Sequence, residues 1–115
     1  MLTITVLIGK IHRATVTQAN IAYQGSITVD SNLMAAALLV PGQLVHVNNF
    51  NNAAHWETYL VAGEPGVVCL NGAPARLFIP GDEVVIMGFG QMSLIDAQQY
   101  RPAIVLVDRQ NHILT

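Results

Sequence analysis

Short runs of apolar, β-branched residues, each ended by glycine, proline or asparagine, restrict the fold of this chain more than any other feature. Such runs are typical of β-strands, and the residues between them are typical of tight turns. A chain of many short strands joined in this way is expected to form a mainly β fold, either a small barrel or a sandwich. The runs predict strands at residues 2–8, 10–17, 27–29, 44–50, 55–61, 67–70, 83–88 and 103–107, with a loop at 18–24 and a tight bend at 71–75.

Two short helices are predicted between the strands. Asp30 and Ser31 precede an apolar segment at residues 32–39, and their side chains are of the kind that caps the first turn of a helix. Ser93 occupies the same position before a second segment, which extends to about Gln99.

The composition predicts a single domain that associates with copies of itself. The chain has 115 residues, of which 52% are hydrophobic and only 10% are charged. So few charges cover the surface of a small monomer poorly, and we therefore expect a homo-oligomer. No apolar run approaches the roughly 20 residues of a membrane helix. The apolar N-terminus has the pattern of a strand and not of a signal peptide, and with one cysteine the chain is expected to be cytoplasmic.

The charge pattern argues against nucleic acid as a partner. The formal net charge is −2, and the five basic residues are scattered along the chain. A nucleic-acid surface needs basic residues clustered in a patch that neutralises phosphates. Isolated cations remain suitable for a small anionic substrate.

A serine at a corner between two predicted strands is the most distinctive candidate for chemistry. Gly25 and Ser26 follow the alternating segment 14–17 and precede the strand at 27–29. Gly-Ser by itself is a common turn dipeptide. A strained peptide bond held between two strands would also allow the serine hydroxyl to attack the carbonyl before it.

The residues around this dipeptide, together with others downstream, carry a resemblance that covers nearly the whole chain in order. They are Gly9-Lys10-Ile11-His12, Val16-Thr17, Tyr23, Gly25-Ser26, Asp30, Glu57-Thr58-Tyr59, Asn71-Gly72-Ala73, Ala75-Arg76, Gly81-Asp82 and Arg101-Pro102. In these positions the chain resembles the pyruvoyl-dependent L-aspartate α-decarboxylases.

The resemblance implies a double-psi β-barrel, assembled as a homotetramer with active sites between subunits. It also implies self-cleavage between Gly25 and Ser26, which gives a β chain of residues 1–25 and an α chain of residues 26–115. Ser26 would become a covalent pyruvoyl group, which forms a Schiff base with the substrate amine and acts as an electron sink. The implied reaction converts L-aspartate to β-alanine and carbon dioxide and supplies pantothenate and coenzyme A biosynthesis.

The resemblance also assigns roles to residues beyond the cleavage site. Thr58 would assist self-processing, and Tyr59 would protonate the carbanion that remains after carbon dioxide leaves. Because side chains alternate along a strand, these two neighbours are expected on opposite faces. Asn71 would bind the substrate or the tyrosine, and the backbone of Gly72 and Ala73 would line the pocket.

Lys10 would pair with a substrate carboxylate, and His55 occupies the position of a second cation. That position is normally an arginine, which forms two parallel hydrogen bonds with a carboxylate, whereas histidine cannot form the same fork. His12 and Tyr23 match positions near the cleavage site. A structural hydrogen-bonding role is an equally good interpretation of His12.

Two other kinds of chemistry find little support in the sequence. Cys69 lies in an apolar run and is interpreted as an inert buried thiol. The four histidines have no zinc-like spacing; His55 and Glu57 share a strand face, but two ligands do not make a site, so no metal is expected.

Three questions stay open at this point. The His55 departure leaves a related decarboxylase of another small amino acid as one alternative. A catalytically idle, unprocessed barrel that serves as a binding or structural subunit is another. Cleavage could also be spontaneous or depend on a maturation factor.

Overall fold

Eight strands and two short helices account for most of residues 1–114, the part of the chain that the computed structural model describes. A short 3₁₀ helix, Ala73–Leu77, lies between the sixth and seventh strands. The helices are α1 (Ser31–Ala36) and α2 (Leu94–Gln99). The strands are β1 (Thr3–Thr15), β2 (Gln18–Asn20), β3 (Ser26–Asp30), β4 (Leu44–Asn49), β5 (His55–Gly63), β6 (Val68–Asn71), β7 (Glu83–Ser93) and β8 (Ala103–Leu106).

All eight strands belong to one hydrogen-bonded sheet, in the order β2-β6-β3-β5-β4-β7-β1-β8. Three pairs are parallel, β1 with β8, β2 with β6 and β3 with β5, while the remaining pairs are antiparallel. Backbone hydrogen bonds outside the ladders tie the segment after β1 to both halves of the sheet, from Val16 to Asp82 and from Thr17 to Val68. The predicted class, a mainly β fold of small-barrel type with short helices, is confirmed.

The core lies on one face of this sheet because alternate side chains of each strand point the same way. Val45 and Val47 on β4 are fully buried, while Leu44, the first residue of β4, is exposed. The largest fully buried side chains come from six strands, α1 and the turns: Ile11, Val16, Ile27, Val29, Leu33, Val45, Val47, Leu60, Val68, Leu70, Phe78 and Ile86.

β1 is one continuous strand, where the sequence predicted two. The predicted strands at 2–8 and 10–17 are joined, because the strand passes through Gly9 with a bulge between Leu7 and Gly9. A Cβ atom at Gly9 would overlap the carbonyl oxygen of Ala37, so the glycine is needed for the end of α1 to approach the strand. A second irregularity accompanies Arg13, whose φ is +63°.

The local signals for both helices are confirmed, but α1 is shorter than predicted. The Asp30 carboxylate accepts a hydrogen bond from the Asn32 backbone N–H at 2.7 Å, and Ser93 Oγ accepts one from Asp96 N–H at 3.1 Å. Helix α1 ends at Ala36 and not at residue 39. Leu38 has φ +59°, a left-handed conformation that a helix cannot continue through.

Two segments predicted as irregular contain regular structure. The loop at 18–24 begins with the short strand β2, which pairs in parallel with β6. The bend at 71–75 leads into the 3₁₀ helix, with Gly72 at its N-cap and Pro74 in its first turn. Neither segment has a hydrophobic period of its own, so tertiary pairing decides its conformation. Across residues 1–114, no helix is long and apolar enough to cross a membrane.

Candidate active site

Ser26 is the first residue of β3 and is completely buried, whereas Gly25 immediately before it is exposed. The Ser26 hydroxyl donates a hydrogen bond to the carbonyl oxygen of Gln24 at 3.1 Å. The Ser26 hydroxyl is therefore oriented by the backbone two residues before it, next to the exposed Gly25. This is the corner that the sequence predicted.

Asn71 is the side chain that organises this corner. Residues Ser26 and Asn71 are direct partners in the antiparallel pairing of β3 with β6. The Asn71 amide nitrogen donates to Ser26 Oγ and to Thr28 Oγ1, each at 3.1 Å. The Cys69 thiol donates to the Asn71 amide oxygen at 3.3 Å, which orients the amide. The Ser26 oxygen is thus fixed between one donor and one acceptor.

Gly72 brings the next piece of backbone against the cleavage position. It adopts φ +99°, and its N–H donates to the Asn20 carbonyl at 2.8 Å. A Cβ atom at Gly72 would lie 2.7 Å from the Cα atom of Gly25, so a side chain there would push the two segments apart. On the other side, a Cβ on Gly25 would lie 3.9 Å from the Trp56 ring. Ala73 follows as the first residue of the 3₁₀ helix.

Thr58 and Tyr59 point to opposite faces of β5, as predicted. Thr58 is 7% exposed and Tyr59 is 42% exposed. β5 pairs in parallel with β3, with Leu60 opposite Ile27. The residues immediately before this pair are Ser26 on β3 and Tyr59 on β5, so the start of β3 lies beside the part of β5 that carries Tyr59.

Tyr23 belongs to a shallow cleft between β2, β3 and β6, next to Ser26. Thr28, Cys69 and Asn71 line the same cleft, so the network around the serine forms part of its wall. The Tyr23 side chain is 58% exposed. Tyr23 and Asn71 thus line one cleft, and the role of Tyr23 near the cleavage site stays a prediction.

Lys10 and His12 lie on β1, which pairs with β7 and β8 and not with β3 or β5. The edge of the His12 ring packs against Phe50, with ring centroids 5.6 Å apart. Within the described residues, His12 Nδ1 is buried without a hydrogen-bond partner. Within residues 1–114 of a single chain, neither Lys10 nor His12 forms a hydrogen bond with Ser26 or with its partners Gln24 and Asn71.

His55 is exposed on β5 and is held by two polar side chains. Its Nδ1 atom lies 2.6 Å from the Asn48 amide oxygen, and its Nε2 atom lies 3.5 Å from a Glu57 carboxylate oxygen. The His46 Nε2 atom, on the neighbouring strand, lies 3.8 Å from the other oxygen of Glu57. The sequence indicated that His55 and Glu57 share a face, and the strand register adds His46.

The structure adds residues that the sequence did not single out. Gln24 accepts a hydrogen bond from Ser26, Thr28 accepts one from Asn71, and the Trp56 ring lies near Gly25. Cys69, which the sequence predicted only as a buried thiol, also orients Asn71. Strand alternation places Ser26 with Thr28, and Cys69 with Asn71, on shared faces. The antiparallel pairing of β3 with β6, which brings these two pairs of residues together, has no signal in the sequence.

Burial keeps the Cys69 thiol protonated, because desolvation penalises the thiolate and raises the pKa of this group. A protonated thiol can donate the hydrogen bond that Asn71 accepts. The interpretation of Cys69 as a buried thiol without a nucleophilic role agrees with this environment.

The fold and the site together define a class of protein: a small β-barrel that holds a buried serine hydroxyl against the peptide bond preceding it. Within that class, the chain belongs to the aspartate decarboxylase family, whose profile matches residues 2–114.

Individual relatives are similar over nearly the whole chain. The aspartate 1-decarboxylase of Pelotomaculum thermopropionicum is 51% identical over 113 residues, covering 96% of this chain and 86% of the relative. The protein of the same name from Listeria welshimeri is 50% identical over 111 residues, covering 95% and 87%. That from Clostridium beijerinckii is 49% identical over 112 residues, covering 96% and 90%.

Proposed function

We propose that this chain is a self-processing, pyruvoyl-dependent aspartate 1-decarboxylase that forms β-alanine and carbon dioxide from L-aspartate. The observation that carries the proposal is the fully buried Ser26 hydroxyl, held by Gln24 and Asn71 beside the exposed Gly25. Its product would enter pantothenate and coenzyme A biosynthesis.

Processing begins, in this proposal, when Ser26 Oγ attacks the Gly25 carbonyl carbon. The C–N amide bond breaks as the C–O ester bond forms, and the proton of the hydroxyl passes to the released Ser26 nitrogen. Elimination across the Cα–Cβ bond then frees residues 1–25 with a new carboxylate. Hydrolysis of the remaining enamine releases ammonia and leaves a pyruvoyl group at position 26.

The hydrogen bonds around Ser26 suit this first step. Two hydrogen bonds restrict rotation of the Ser26 hydroxyl, and restricting a nucleophile in this way lowers the entropic part of a barrier. Gly25 presents no side chain over the attacked carbonyl. We assign Thr58, buried on the adjacent strand, the role of stabilising the tetrahedral species with its hydroxyl.

The residues around position 26 fit a pyruvoyl group. The Asn71 amide donates a hydrogen bond to Ser26 Oγ, and a carbonyl oxygen at this position can accept the same hydrogen bond. Gly72 carries no side chain, which a close approach to Gly25 requires. When present, the pyruvoyl ketone supplies an electron-poor carbonyl that accepts the substrate amine and the electrons released with carbon dioxide.

The remaining steps need a proton donor and groups that hold carboxylates. Tyr59 is an exposed phenol on β5, and we assign it delivery of the proton to the product. We assign Lys10 and His55 to the substrate carboxylates, and the backbone of Gly72 and Ala73 to the pocket wall. Tyr23 and His12 are supporting residues in this scheme.

We place the active site between subunits of a homotetramer. Lys10 belongs to β1, which is paired with neither β3 nor β5, and this supports a site in which a second copy of the chain supplies Lys10. The outer surface also carries many large apolar side chains, which association would bury. Those more than half exposed include Leu2, Tyr23, Leu38, Val40, Leu44, Ile79 and Ile95.

His55 favours one second candidate, a decarboxylase of another small amino acid. Glu57, 3.5 Å from His55, places negative charge where an aspartate side-chain carboxylate would have to bind. Comparing β-alanine formation with carbon dioxide release from other small amino acids separates the two candidates. His55→Arg should lower the KM for aspartate if this position contacts the carboxylate.

The mass of the purified protein tests the proposal. We expect two chains, 1–25 and 26–115, with the longer chain blocked to Edman degradation. Ser26→Ala should remain one chain without activity, because no β-oxygen is left to attack or depart. Ser93→Ala, which alters only the cap of α2, should be processed like the natural protein.

One intact chain after prolonged incubation, both alone and with a maturation factor added, would contradict the proposal. It would favour an idle barrel that acts as a binding or structural subunit. Cleavage that occurs only with the added factor would support the proposal and establish that maturation is assisted.

A further inference from the structure

Three metal-ligating side chains converge on the exposed face of the β4–β5 hairpin. They are His46, His55 and Glu57, and one ligand atom from each lies within 4.8 Å of the others. We propose that these residues form a binding site for a divalent transition-metal ion of the zinc type. None of the three takes part in the cleavage step at Ser26, so the site does not depend on processing.

The hairpin register creates the cluster. His46 on β4 is the direct cross-strand partner of Glu57 on β5, and His55 stands two residues before Glu57 on the same face. The turn between the strands is closed by hydrogen bonds from Asn49 N–H to Ala54 O and from Ala53 N–H to Asn49 O, both 2.9 Å. A tight turn fixes the register and with it the three-way contact.

The separations suit a small ion. Zinc lies about 2.0–2.1 Å from nitrogen ligands, so neighbouring ligand atoms in a tetrahedral site stand about 3.3–3.4 Å apart. The two histidine Nε2 atoms lie 3.8 Å (His46) and 3.5 Å (His55) from the oxygens of Glu57. Small side-chain rotations are enough to close these distances around an ion.

Asn48 prepares His55 for this role. An amide oxygen only accepts hydrogen bonds, so at the 2.6 Å contact with Asn48 Oδ1 the donor is His55 Nδ1. In the neutral imidazole, the form that binds a metal, the lone pair then lies on Nε2, the atom directed at Glu57. Orientation of a ligating imidazole by a hydrogen bond at its other nitrogen is the usual arrangement around protein metals.

Phe89 restrains the second imidazole. The rings of His46 and Phe89 meet edge to face, with centroids 5.0 Å apart and an angle of 73° between planes. The rings of His46 and His55 lie 5.2 Å apart. Both histidines therefore lose little side-chain freedom when an ion binds, which favours binding.

The donor set also indicates which ions fit. Two imidazoles and one carboxylate suit zinc and its neighbours, whereas magnesium and calcium prefer oxygen ligands alone. The side chains of His46, His55 and Glu57 are 31%, 47% and 54% exposed, so a coordination position stays open to water or a small ligand. Because His55 is also assigned to the substrate, a bound ion would place positive charge where a carboxylate binds.

Calorimetric titration with ZnCl2 tests the site directly. The purified wild-type protein, freed of metal by dialysis against a chelator, should bind one zinc ion for each copy of residues 26–115, whether or not it has been cleaved. His46→Ala, His55→Ala and Glu57→Gln should each weaken binding at least tenfold, a loss no smaller than that caused by removing an outer partner of a metal ligand. Circular dichroism checks that each exposed substitution leaves the fold unchanged.

Two matched controls sharpen the test. Asn48→Leu should weaken zinc binding about 10–100-fold because His55 loses its orienting acceptor, while Asn48→Asp keeps an acceptor and should retain binding. His112→Ala should bind zinc as wild type does, although His112 is likewise an exposed histidine beside a carboxylate, 3.3 Å from Asp108. Absence of saturable binding, or equal loss in His112→Ala, would overturn the proposal.

Discussion

The serine at the start of β3 has its hydroxyl oriented by a neighbour that comes from a different part of the chain. Asn71 donates to both Ser26 and Thr28, so a single amide holds two hydroxyls on the same strand face. Cys69 and Asn71 share a face of β6 in the same way, which lets the thiol orient the amide. The nucleophile is therefore fixed through Asn71, whose own orientation is set by Cys69.

Asn71→Ala should slow self-cleavage without abolishing it. The Ser26 hydroxyl would keep its bond to Gln24 but lose the donor that fixes its second direction. A hydrogen bond of this kind contributes about 0.5–1.5 kcal/mol, which corresponds to roughly a two- to tenfold change in rate. Mass spectrometry over time after expression measures the rate. Asn52→Ala, which removes a bond to Leu77 outside the site, is the control and should cleave normally.

Thr58→Val and Tyr59→Phe should separate maturation from turnover. The valine keeps the buried shape of Thr58 and removes only the hydroxyl, so we expect an intact, folded and unprocessed chain. Tyr59 lies on the exposed face, and its loss should leave processing unchanged while turnover falls about 10²–10⁴-fold. Intact mass and β-alanine formation are measured on both variants. Wild-type turnover by Tyr59→Phe would show that the proton has another source.

At the scale of elements, β3, β6 and the 3₁₀ helix come together where Gly25 and Gly72 are in close contact. Gly72 follows the last residue of β6, turns the chain with φ +99° and lies against Gly25. The cleavage position thus lies where one strand begins and another ends. Small residues on both sides let the two backbones touch, and Asn71 is carried to Ser26 by the same contact.

Gly72→Ala should impair processing much more than Gly81→Ala. Both glycines have positive φ, +99° and +96°, so both substitutions carry a conformational cost of about 1–2 kcal/mol. A Cβ at Gly72 would also lie 2.7 Å from Gly25 Cα, whereas nothing lies within 4 Å of one at Gly81. Cleavage rate and thermal midpoint are measured for both. Equal effects on cleavage would mean that the Gly25 contact does not matter.

At the scale of the whole molecule, only 10% of the residues are charged. The ion pair between Arg13 and Glu83 joins segments that are distant in the sequence. Arg13, at the irregular end of β1, meets Glu83 at the start of β7, with Nη2 and Oε1 3.1 Å apart. The Arg13 hydrogen bond is the main reason that the pKa of Glu83 lies below its usual range. The pair therefore favours the folded state while Glu83 is ionised.

Glu83→Gln should lower the free energy of unfolding near neutral pH but not at acid pH. A carboxyl whose folded-state pKa is lowered stabilises the fold above its unfolded pKa, about 4.3, and this contribution is lost as pH falls through the folded value. The wild-type advantage over the variant should be present at pH 6–7 and shrink below about pH 4.3. The difference in free energy of unfolding is measured by urea unfolding across this pH range. Both proteins carry Ser26→Ala, so that each remains a single chain. An advantage that does not change with pH would contradict the assignment.

The sequence by itself determined the features that local backbone geometry controls. Alternation of apolar and polar residues located most strands and put Thr58 and Tyr59 on opposite faces. The side-chain chemistry of Asp30 and Ser93 marked both helix starts, and glycine followed by serine marked the corner at Ser26. These signals are readable because a strand repeats every two residues and a cap acts within one turn, whatever the rest of the chain does.

Tertiary structure alone decided which strand faces which. Alternation gives the face of a side chain but not its partner, so the sequence could not join Asn71 to Ser26, or His46 to Glu57 and His55. It also could not show that β1 continues through Gly9 along β7, or that a glycine is needed there because Ala37 approaches closely. Pairing and register come from burying one common core and from turn geometry, and these depend on residues far apart in the chain.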